Sequence, residues 1–282
     1  MKLFVFLLLF PLVASAQTVK LGDIALTPGK ATAFDAPLSP ALQSEAAKGG
    51  NPTVAVAKCA IAVPVNFDPA KSWPVVVVSA ADGSPNKALM NAFVGPATGK
   101  GWVVVAADAA EKPQSETTEW CYAMVASAFD LMEKAWPGAR KWPIANGGFS
   151  GGAKRAAPMA AIMMANNYTV IGMFMGGCNE DRSTEAVNGF HPGGRYKNVP
   201  VYLCGGAQDP IATPTMRQHV KTSIQHNGFT NVRLESYEGG HVLSPPQVAM
   251  ALDWFNEVAS KSPSKSGSEP NGKSFDDFFK KK

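Results

Sequence analysis

The stretch Ala145-Asn146-Gly147-Gly148-Phe149-Ser150-Gly151-Gly152-Ala153 decides how this chain folds. It contains a Gly-x-Ser-x-Gly pattern, which is typical of a buried strand that turns sharply into a helix and lifts the serine onto the apex. The serine then has a strained, left-handed backbone, and the residues two before and two after it have no room for a bulky side chain. Gly148 and Gly152 meet that demand. We therefore predict a strand, a sharp turn at Ser150 and a helix over about 151–166.

Continuous apolar runs recur along the chain and alternate with segments of helical periodicity. The runs lie at 75–78, 101–107, 169–175 and 199–204, and a further strand is predicted at 231–237. Such runs are typical of strands buried on both faces. The alternation predicts an α/β fold with a doubly wound, mostly parallel sheet, helices on both faces and right-handed crossovers. Pro158 lies in the second turn of the helix after Ser150 and should kink it.

The domain boundaries follow from changes in composition. Residues 1–16 have a charged start, an apolar run and a small-residue cleavage site, which predicts a signal peptide and a secreted or periplasmic protein. Residues 17–50 are predicted to be an irregular N-terminal extension, and residues 51–260 the α/β domain. The short span at 180–198 leaves no room for a separate lid domain. Residues 261–282 are rich in Ser and Lys and should form a disordered basic tail.

The charge of the chain argues against binding to nucleic acid. The formal net charge is +4, but the tail carries +3 of it and Lys2 would leave with the signal peptide. The folded body is therefore neutral, whereas nucleic-acid binding needs clustered positive charge. No later apolar stretch is long enough for stable membrane insertion. Oligomeric state stays open.

The four cysteines, Cys59, Cys121, Cys178 and Cys204, lack the spacing of metal ligands, so we expect no metal and no cofactor. An exported chain with an even number of cysteines should hold at least one disulfide. Cys178 and Cys204 end two successive strands and are the candidate pair.

Three polar residues follow directly after apolar strands. They are Ser150, Asp209 and His241. Because the carboxyl ends of parallel strands meet at one edge of the sheet, all three should lie together there. A serine hydroxyl needs a base to accept its proton and an acid to orient that base, which are roles suited to His241 and Asp209. Glu180 and Asp181 remain alternatives for the acid.

An oxyanion hole should lie beside the serine. Its donors should be the N–H of Gly151 and an N–H from the loop after the strand 75–78, for which we select Ala81, with Ala80 and Asp82 as alternatives.

Four side chains near the same edge are candidates for substrate binding: Asp82, Trp120, Lys154 and Asn179. Trp120 could instead pack in the core, and Lys154 with Arg155 could simply face solvent.

The chain resembles the α/β-hydrolase superfamily, and within it secreted esterases of the polyhydroxybutyrate-depolymerase, feruloyl-esterase and dienelactone-hydrolase-like groups. The resemblance rests on the Gly-x-Ser-x-Gly pattern and on the order Ser150, Asp209, His241. It departs from the family at Ser79-Ala80, where many relatives carry His-Gly. The resemblance implies a serine esterase that acts through an acyl-enzyme on a small-molecule or polymeric ester. A peptidase of the same fold and a non-catalytic binding protein are the alternatives.

Overall fold

A computed structural model describes residues 19–113 and 115–261 of the 282-residue chain. The predicted signal peptide at 1–16 and the predicted tail after Lys261 lie outside the described residues. Within the described ranges, no helix combines the length and the apolar character needed to cross a membrane.

An eight-stranded sheet forms the centre of the fold, with a separate hairpin of two short strands. The strands are β1 (Val19–Leu21), β2 (Ile24–Leu26), β3 (Thr32–Pro37), β4 (Val56–Ala62), β5 (Val75–Ser79), β6 (Val103–Ala109), β7 (Ile144–Phe149), β8 (Val170–Gly176), β9 (Val201–Gly206) and β10 (Val232–Tyr237). The sheet order is β10-β9-β8-β7-β5-β6-β4-β3. The six strands from β10 to β6 pair in parallel, whereas β4 pairs antiparallel with both β6 and β3. The predicted mostly parallel α/β sheet is confirmed.

Helices cover both faces of this sheet. They are α1 (Pro40–Ala46), α2 (Asn86–Gly99), α3 (Thr118–Ala135), α4 (Gly151–Lys154), α5 (Ala156–Ala165), α6 (Ser183–Phe190), α7 (Pro214–His226) and α8 (Pro245–Lys261). Helices α2 and α8 share one hydrophobic core with the sheet, and α1, α3, α5, α6 and α7 share the other. The β8–β9 connection consists of α6 and a short 3-10 turn, so the described residues contain no separate lid domain.

The N-terminal segment differs from the irregular extension that we expected at 17–50. Strand β3 lies within it and forms one edge of the central sheet, antiparallel to β4. The side chains of Phe34 and Ala36 point into the core, whereas Asp35 is exposed. This alternation is the signature of a half-buried edge strand, and Pro37 is tolerated because it lies at the strand end. The sheet therefore begins well before residue 51.

The helix expected over 151–166 is broken into α4 and α5 at Arg155. Pro158 explains the break, because it has no N–H to donate to the carbonyl of Lys154 one turn earlier. The local kink predicted from Pro158 agrees with this break, which leaves Arg155 between two helices.

The disulfide prediction is wrong in this structure, because all four cysteines are free and buried. Strands β8 and β9 are neighbours as expected, but Cys204 is paired in register with Gly176, two residues before Cys178. The thiol of Cys178 instead donates to the carbonyl of Glu180, with 3.2 Å between sulfur and oxygen. Burial raises the pKa of Cys59, Cys178 and Cys204 to about 12.

Candidate active site

The turn between β7 and α4 has the strained geometry expected of it. Ser150 has φ of 57° and ψ of −123°, and its N–H donates to the carbonyl of Gly176 on β8. A Cβ on Gly148 would lie 2.4 Å from the backbone of Gly152, and one on Gly152 would lie 1.9 Å from the carbonyl oxygen of Ser79. Both glycines are therefore required by close backbone contacts.

Ser150, His241 and Asp209 form a continuous hydrogen-bonded chain at the carboxyl edge of the sheet. The Ser150 Oγ lies 2.9 Å from Nε2 of His241, and Nδ1 of the same ring lies 2.8 Å from Oδ2 of Asp209. With the proton on Nδ1, the imidazole donates to the carboxylate and accepts from the serine hydroxyl. The three residues follow β7, β9 and β10, and the structure brings them together at this edge of the sheet.

The carboxylate of Asp209 is buried and almost fully bonded. Its other oxygen, Oδ1, accepts hydrogen bonds of 2.8 Å from the N–H groups of Ile211 and Ala212. Burial alone would raise the pKa of Asp209, but the hydrogen bonds from His241 and from these two N–H groups outweigh it and lower that pKa. The carboxylate is therefore ionised at neutral pH, as a partner for an imidazolium requires.

Arg217 holds the loop that carries Asp209. This arginine is fully buried, and its guanidinium donates to the carbonyls of Ala212 and Gly206. Its Nη1 also lies 4.0 Å from Oδ2 of Asp209. Asp209 therefore lies in a loop that is held in place by Arg217 of helix α7.

Phe149 and Gly177 define the position of the imidazole. The Phe149 ring packs against the ring of His241, with centroids 4.7 Å apart. A Cβ on Gly177 would lie 3.1 Å from Cε1 of His241, so the loop after β8 approaches the ring closely. These contacts restrict the imidazole to the orientation that reaches Ser150.

The β5–α2 loop, residues 80–85, lies directly against the start of α4. A Cβ on Gly151 would lie 2.9 Å from the Cβ of Ala81. The N–H of Ala80 is already bonded to Oδ1 of Asn86, at 2.6 Å, whereas that of Ala81 has no hydrogen-bond partner among the described residues. The N–H of Gly151 is the first of its helix and has no acceptor within it. Gly151 and Ala81 therefore offer two adjacent free donors.

A buried cluster of charges lies beneath this loop. The guanidinium of Arg155 contacts Asp82 and lies 2.5 Å from Oε2 of Glu116. Lys112 bridges Glu116 at 2.9 Å and Asp108 at 2.6 Å. Burial, together with nearby Arg182, lowers the pKa of Arg155 to about 10, which leaves the group protonated at neutral pH. The β5–α2 loop therefore rests on a network of ion pairs.

The candidate substrate-binding residues have different environments. Trp120 is fully buried, so its assignment to substrate binding is wrong. It lies in the first turn of α3, which packs against α1, α5 and the sheet, and its ring belongs to the hydrophobic core. Lys154 is partly exposed and pairs with Glu180 at 2.8 Å. Asn179 donates to the carbonyl of Ile211 at 3.1 Å, and Asp82 is exposed apart from its contact with Arg155.

The alternative acids have other partners. Glu180 pairs with Lys154 and Arg182, and Asp181 accepts from Ser223 and Asn227. His241 is bonded to Asp209 alone of the three carboxylates that the sequence allowed.

Sequence reasoning missed three supporting residues: Asn86, Arg155 and Arg217. Arg217 has a detectable signal, because it shares an inner helical face with Val220 and Ile224 at spacings of three and seven. The side-chain orientations of Arg155 and Asn86 have none, since Glu116 and the Ala107 carbonyl, which they contact, are distant in the sequence. Within the described residues, no group of three or more His, Cys, Asp or Glu side chains is arranged to hold a metal ion.

Comparison with known proteins adds evidence on the fold. No family model matches the chain, and no curated protein sequence does. The chain is similar in structure to a cold-adapted esterase from an Arctic intertidal metagenomic library, with a TM-score of 0.52, 14% identity, and coverage of 81% of this chain and 93% of that one. It is also similar to Est1E from Butyrivibrio proteoclasticus, with a TM-score of 0.51, 12% identity, and coverage of 73% and 96%. The chain has the α/β-hydrolase fold.

Proposed function

We propose that this protein is a serine hydrolase that cleaves carboxylic esters through an acyl-enzyme. One observation carries the proposal: the unbroken chain from Ser150 Oγ through His241 to Asp209, at 2.9 Å and 2.8 Å. A serine on a strained apex, bonded to an imidazole that is bonded to a buried carboxylate, is the arrangement that activates a hydroxyl as a nucleophile.

In the proposed first half-reaction, His241 Nε2 takes the hydroxyl proton as Ser150 Oγ attacks the ester carbonyl. The negative charge develops on the carbonyl oxygen, where the N–H groups of Gly151 and Ala81 stabilise it. Asp209 stabilises the imidazolium. His241 then gives the proton to the leaving alcohol, and the acyl group remains on Ser150. In the second half-reaction, water attacks the acyl-enzyme by the same route and regenerates the serine.

Exposed apolar side chains form part of the rim of the candidate site. Ile211 and Val242 follow the acid and the base by one or two residues, and both are large apolar side chains exposed to solvent, by 53% and 65% respectively. Est1E has been observed with bound ferulic acid. We therefore propose feruloyl and acetyl esters of polysaccharides, polyester fragments and small aryl esters as substrates to screen, with Asp82, Lys154 and Asn179 as residues at the rim.

Replacement of the serine tests the proposal directly. Ser150→Ala should abolish turnover of 4-nitrophenyl acetate with little change in melting temperature, because loss of the triad typically costs on the order of 10⁶ in kcat. Asp209→Asn should lower kcat by about 10⁴, whereas Asp181→Asn should leave it within a few-fold. Full activity in Ser150→Ala would refute the nucleophile, and an Asp181→Asn loss as large as that of Asp209→Asn would refute the acid.

Two further measurements separate the alternatives. Stoichiometric labelling of Ser150 by a fluorophosphonate supports an enzyme, and absence of labelling in folded protein supports a binding protein on the same scaffold. Turnover of an ester and an amide with the same acyl group separates an esterase from a peptidase. The geometry of the hydrogen-bonded chain favours the enzyme, because a binding protein has no need of an oriented imidazole.

We also propose that the protein is exported after cleavage before Gln17. Sequencing the N-terminus of protein recovered from the periplasm or medium tests this proposal. A mature chain that begins at Met1 would contradict it.

A further inference from the structure

Ala80 immediately precedes the candidate oxyanion donor Ala81, and both its N–H and its carbonyl are hydrogen-bonded to side chains. Its N–H donates to Oδ1 of Asn86 at 2.6 Å, and its carbonyl accepts from Nη1 of Arg155 at 3.2 Å. Asn86 is itself fixed, because its side-chain amide donates to the carbonyl of Ala107 at 2.7 Å and its N–H donates to Asp108 at 2.8 Å. The backbone that leads into Ala81 is therefore held by hydrogen bonds on two sides.

The same charged cluster holds the rest of the β5–α2 loop. Lys112 donates to the carbonyl of Ser84 at 2.7 Å, and Arg155 contacts the carboxylate of Asp82. The start of the loop, at Ala80, is thus attached through Asn86 to β6. Its middle, at Asp82, is attached to Arg155 between α4 and α5, and its end, at Ser84, is attached to Lys112 in the segment before α3. A loop with this many directed bonds has few alternative positions for the Ala81 N–H.

We propose that Arg155 is a positioning residue that fixes the Ala81 N–H at the distance from Ser150 that oxyanion stabilisation requires. This inference rests on the proposed function. Arg155 is only 7% exposed and follows Ser150 by five residues, so the same side chain joins the nucleophile helix to the loop that supplies the second donor. The two halves of the oxyanion hole, Gly151 and Ala81, are thereby held in one rigid unit.

Charge balance does not by itself explain an arginine rather than a lysine at this position. Lys112 pairs with both buried carboxylates, at 2.6 Å from Asp108 and 2.9 Å from Glu116, and a lysine could supply the second positive charge as well as Arg155 does. What Arg155 adds is the planar guanidinium, which reaches Glu116, Asp82 and the Ala80 carbonyl at once. A lysine at this position would keep the charge but has no rigid fork with which to make these bonds together.

Arg155→Lys tests the proposal, with Arg140→Lys as the matched control. Arg140 is an ion-paired arginine on the short turn before β7, away from the carboxyl edge of the sheet. Removing one oxyanion donor typically costs about 10²–10³ in kcat. A displaced donor should cost less, so we expect Arg155→Lys to lower kcat by roughly 10–100-fold with KM within about threefold. Arg140→Lys should match the wild type.

A second readout distinguishes positioning from general damage. An aryl trifluoromethyl ketone adds to the active-site serine and places an oxyanion in the hole, so its inhibition constant should rise by the same factor as kcat falls. The pH profile of kcat/KM, which reports the base, should not move. Asn86→Ala removes the other clamp on Ala80 and should give the same pattern. If Arg155→Lys does not fold, wild-type kcat and a wild-type inhibition constant in Asn86→Ala would show that holding Ala80 does not position the Ala81 N–H, and the proposal would be overturned.

The outcomes separate this inference from the proposed function. If folded Arg155→Lys has wild-type kcat and inhibition constant, or loses activity through KM alone, the positioning role is overturned while Ser150-dependent turnover by the wild type upholds the hydrolase. If the wild type shows no Ser150-dependent turnover, both are overturned.

Discussion

The contact between Gly152 and the end of β5 gives a sharp prediction for the substitution Gly152→Ala. The added Cβ would lie 1.9 Å from the carbonyl oxygen of Ser79, 2.5 Å from its carbonyl carbon and 2.8 Å from that of Ala80. All three are backbone atoms, so no side-chain rotation relieves the clash. The helix that carries the serine and the strand that leads into the β5–α2 loop must move apart.

The size of that movement sets the expected loss. Real Cβ atoms essentially never come closer than 3.0 Å to a heavy atom, so the two backbones must separate by about 1 Å, and a displacement of that size can cost about 10²-fold in rate. The separation acts between Gly151 and Ala81, the two candidate oxyanion donors. Overpacking of this kind also destabilises the fold, by about 1–3 kcal/mol. We therefore expect kcat to fall at least 100-fold, with a lower melting temperature.

The assay compares Gly152→Ala with Gly189→Ala, a matched substitution in helix α6. An added Cβ at Gly189 meets nothing within 4 Å, and alanine favours helix over glycine by up to about 1 kcal/mol. Gly189→Ala should keep wild-type kcat and equal or higher melting temperature. Turnover of 4-nitrophenyl acetate and the rate of fluorophosphonate labelling should both fall in Gly152→Ala. Retention of kcat within threefold and of the melting temperature would refute the reasoning.

Two other properties can be predicted from the same structure. Because the pKa of Asp209 is lowered in the folded state, its ionisation stabilises the protein above the ordinary carboxyl pKa of about 4 and this contribution is lost as pH falls below it. The melting-temperature gap between wild type and Asp209→Asn should therefore shrink below about pH 4, and a gap that is constant with pH would contradict this. Because burial raises the pKa of Cys59, Cys178 and Cys204 to about 12 and that of Cys121 further, the native protein should react slowly with Ellman's reagent and release four thiols after denaturation. Fewer than four would instead indicate a disulfide.

The candidate triad could be located from the sequence because its three residues lie at strand ends. Ser150, Asp209 and His241 each follow a predicted strand, and in a parallel sheet the positions after the strands converge on one edge, whatever the strand order. The elbow glycines were predictable for a similar reason, since the sharp turn itself imposes the backbone contacts at Gly148 and Gly152. Both inferences use local pattern and a general property of parallel sheets.

The errors arose where the outcome depends on what packs against a segment from elsewhere in the chain. The sequence places Trp120 at the start of a helix near the carboxyl edge of the sheet. In the structure, α1 and α5 pack against that helix, and Trp120 is buried. Strand β3 is hard to predict from the sequence because its alternation is short and ends in Pro37, and it is stabilised by pairing with β4. Cys178 and Cys204 lie on neighbouring strand ends, but a register offset of two residues separates them.

The position of Arg155 depends on nearby Pro158, and the direction of its side chain depends on Glu116, which is distant in the sequence. Pro158 ends the hydrogen-bonding pattern of α4 near Lys154, so Arg155 stands at the break between two helices. Two adjacent basic residues then take different roles: Lys154 pairs with partly exposed Glu180, and Arg155 points inward to Glu116 and the Ala80 carbonyl. The proline can be read from the sequence and predicts the break. The inward orientation requires Glu116, which a separate segment brings beneath the β5–α2 loop. The sequence therefore identifies the proposed nucleophile and its partners, whereas the support of the candidate oxyanion hole depends on tertiary packing.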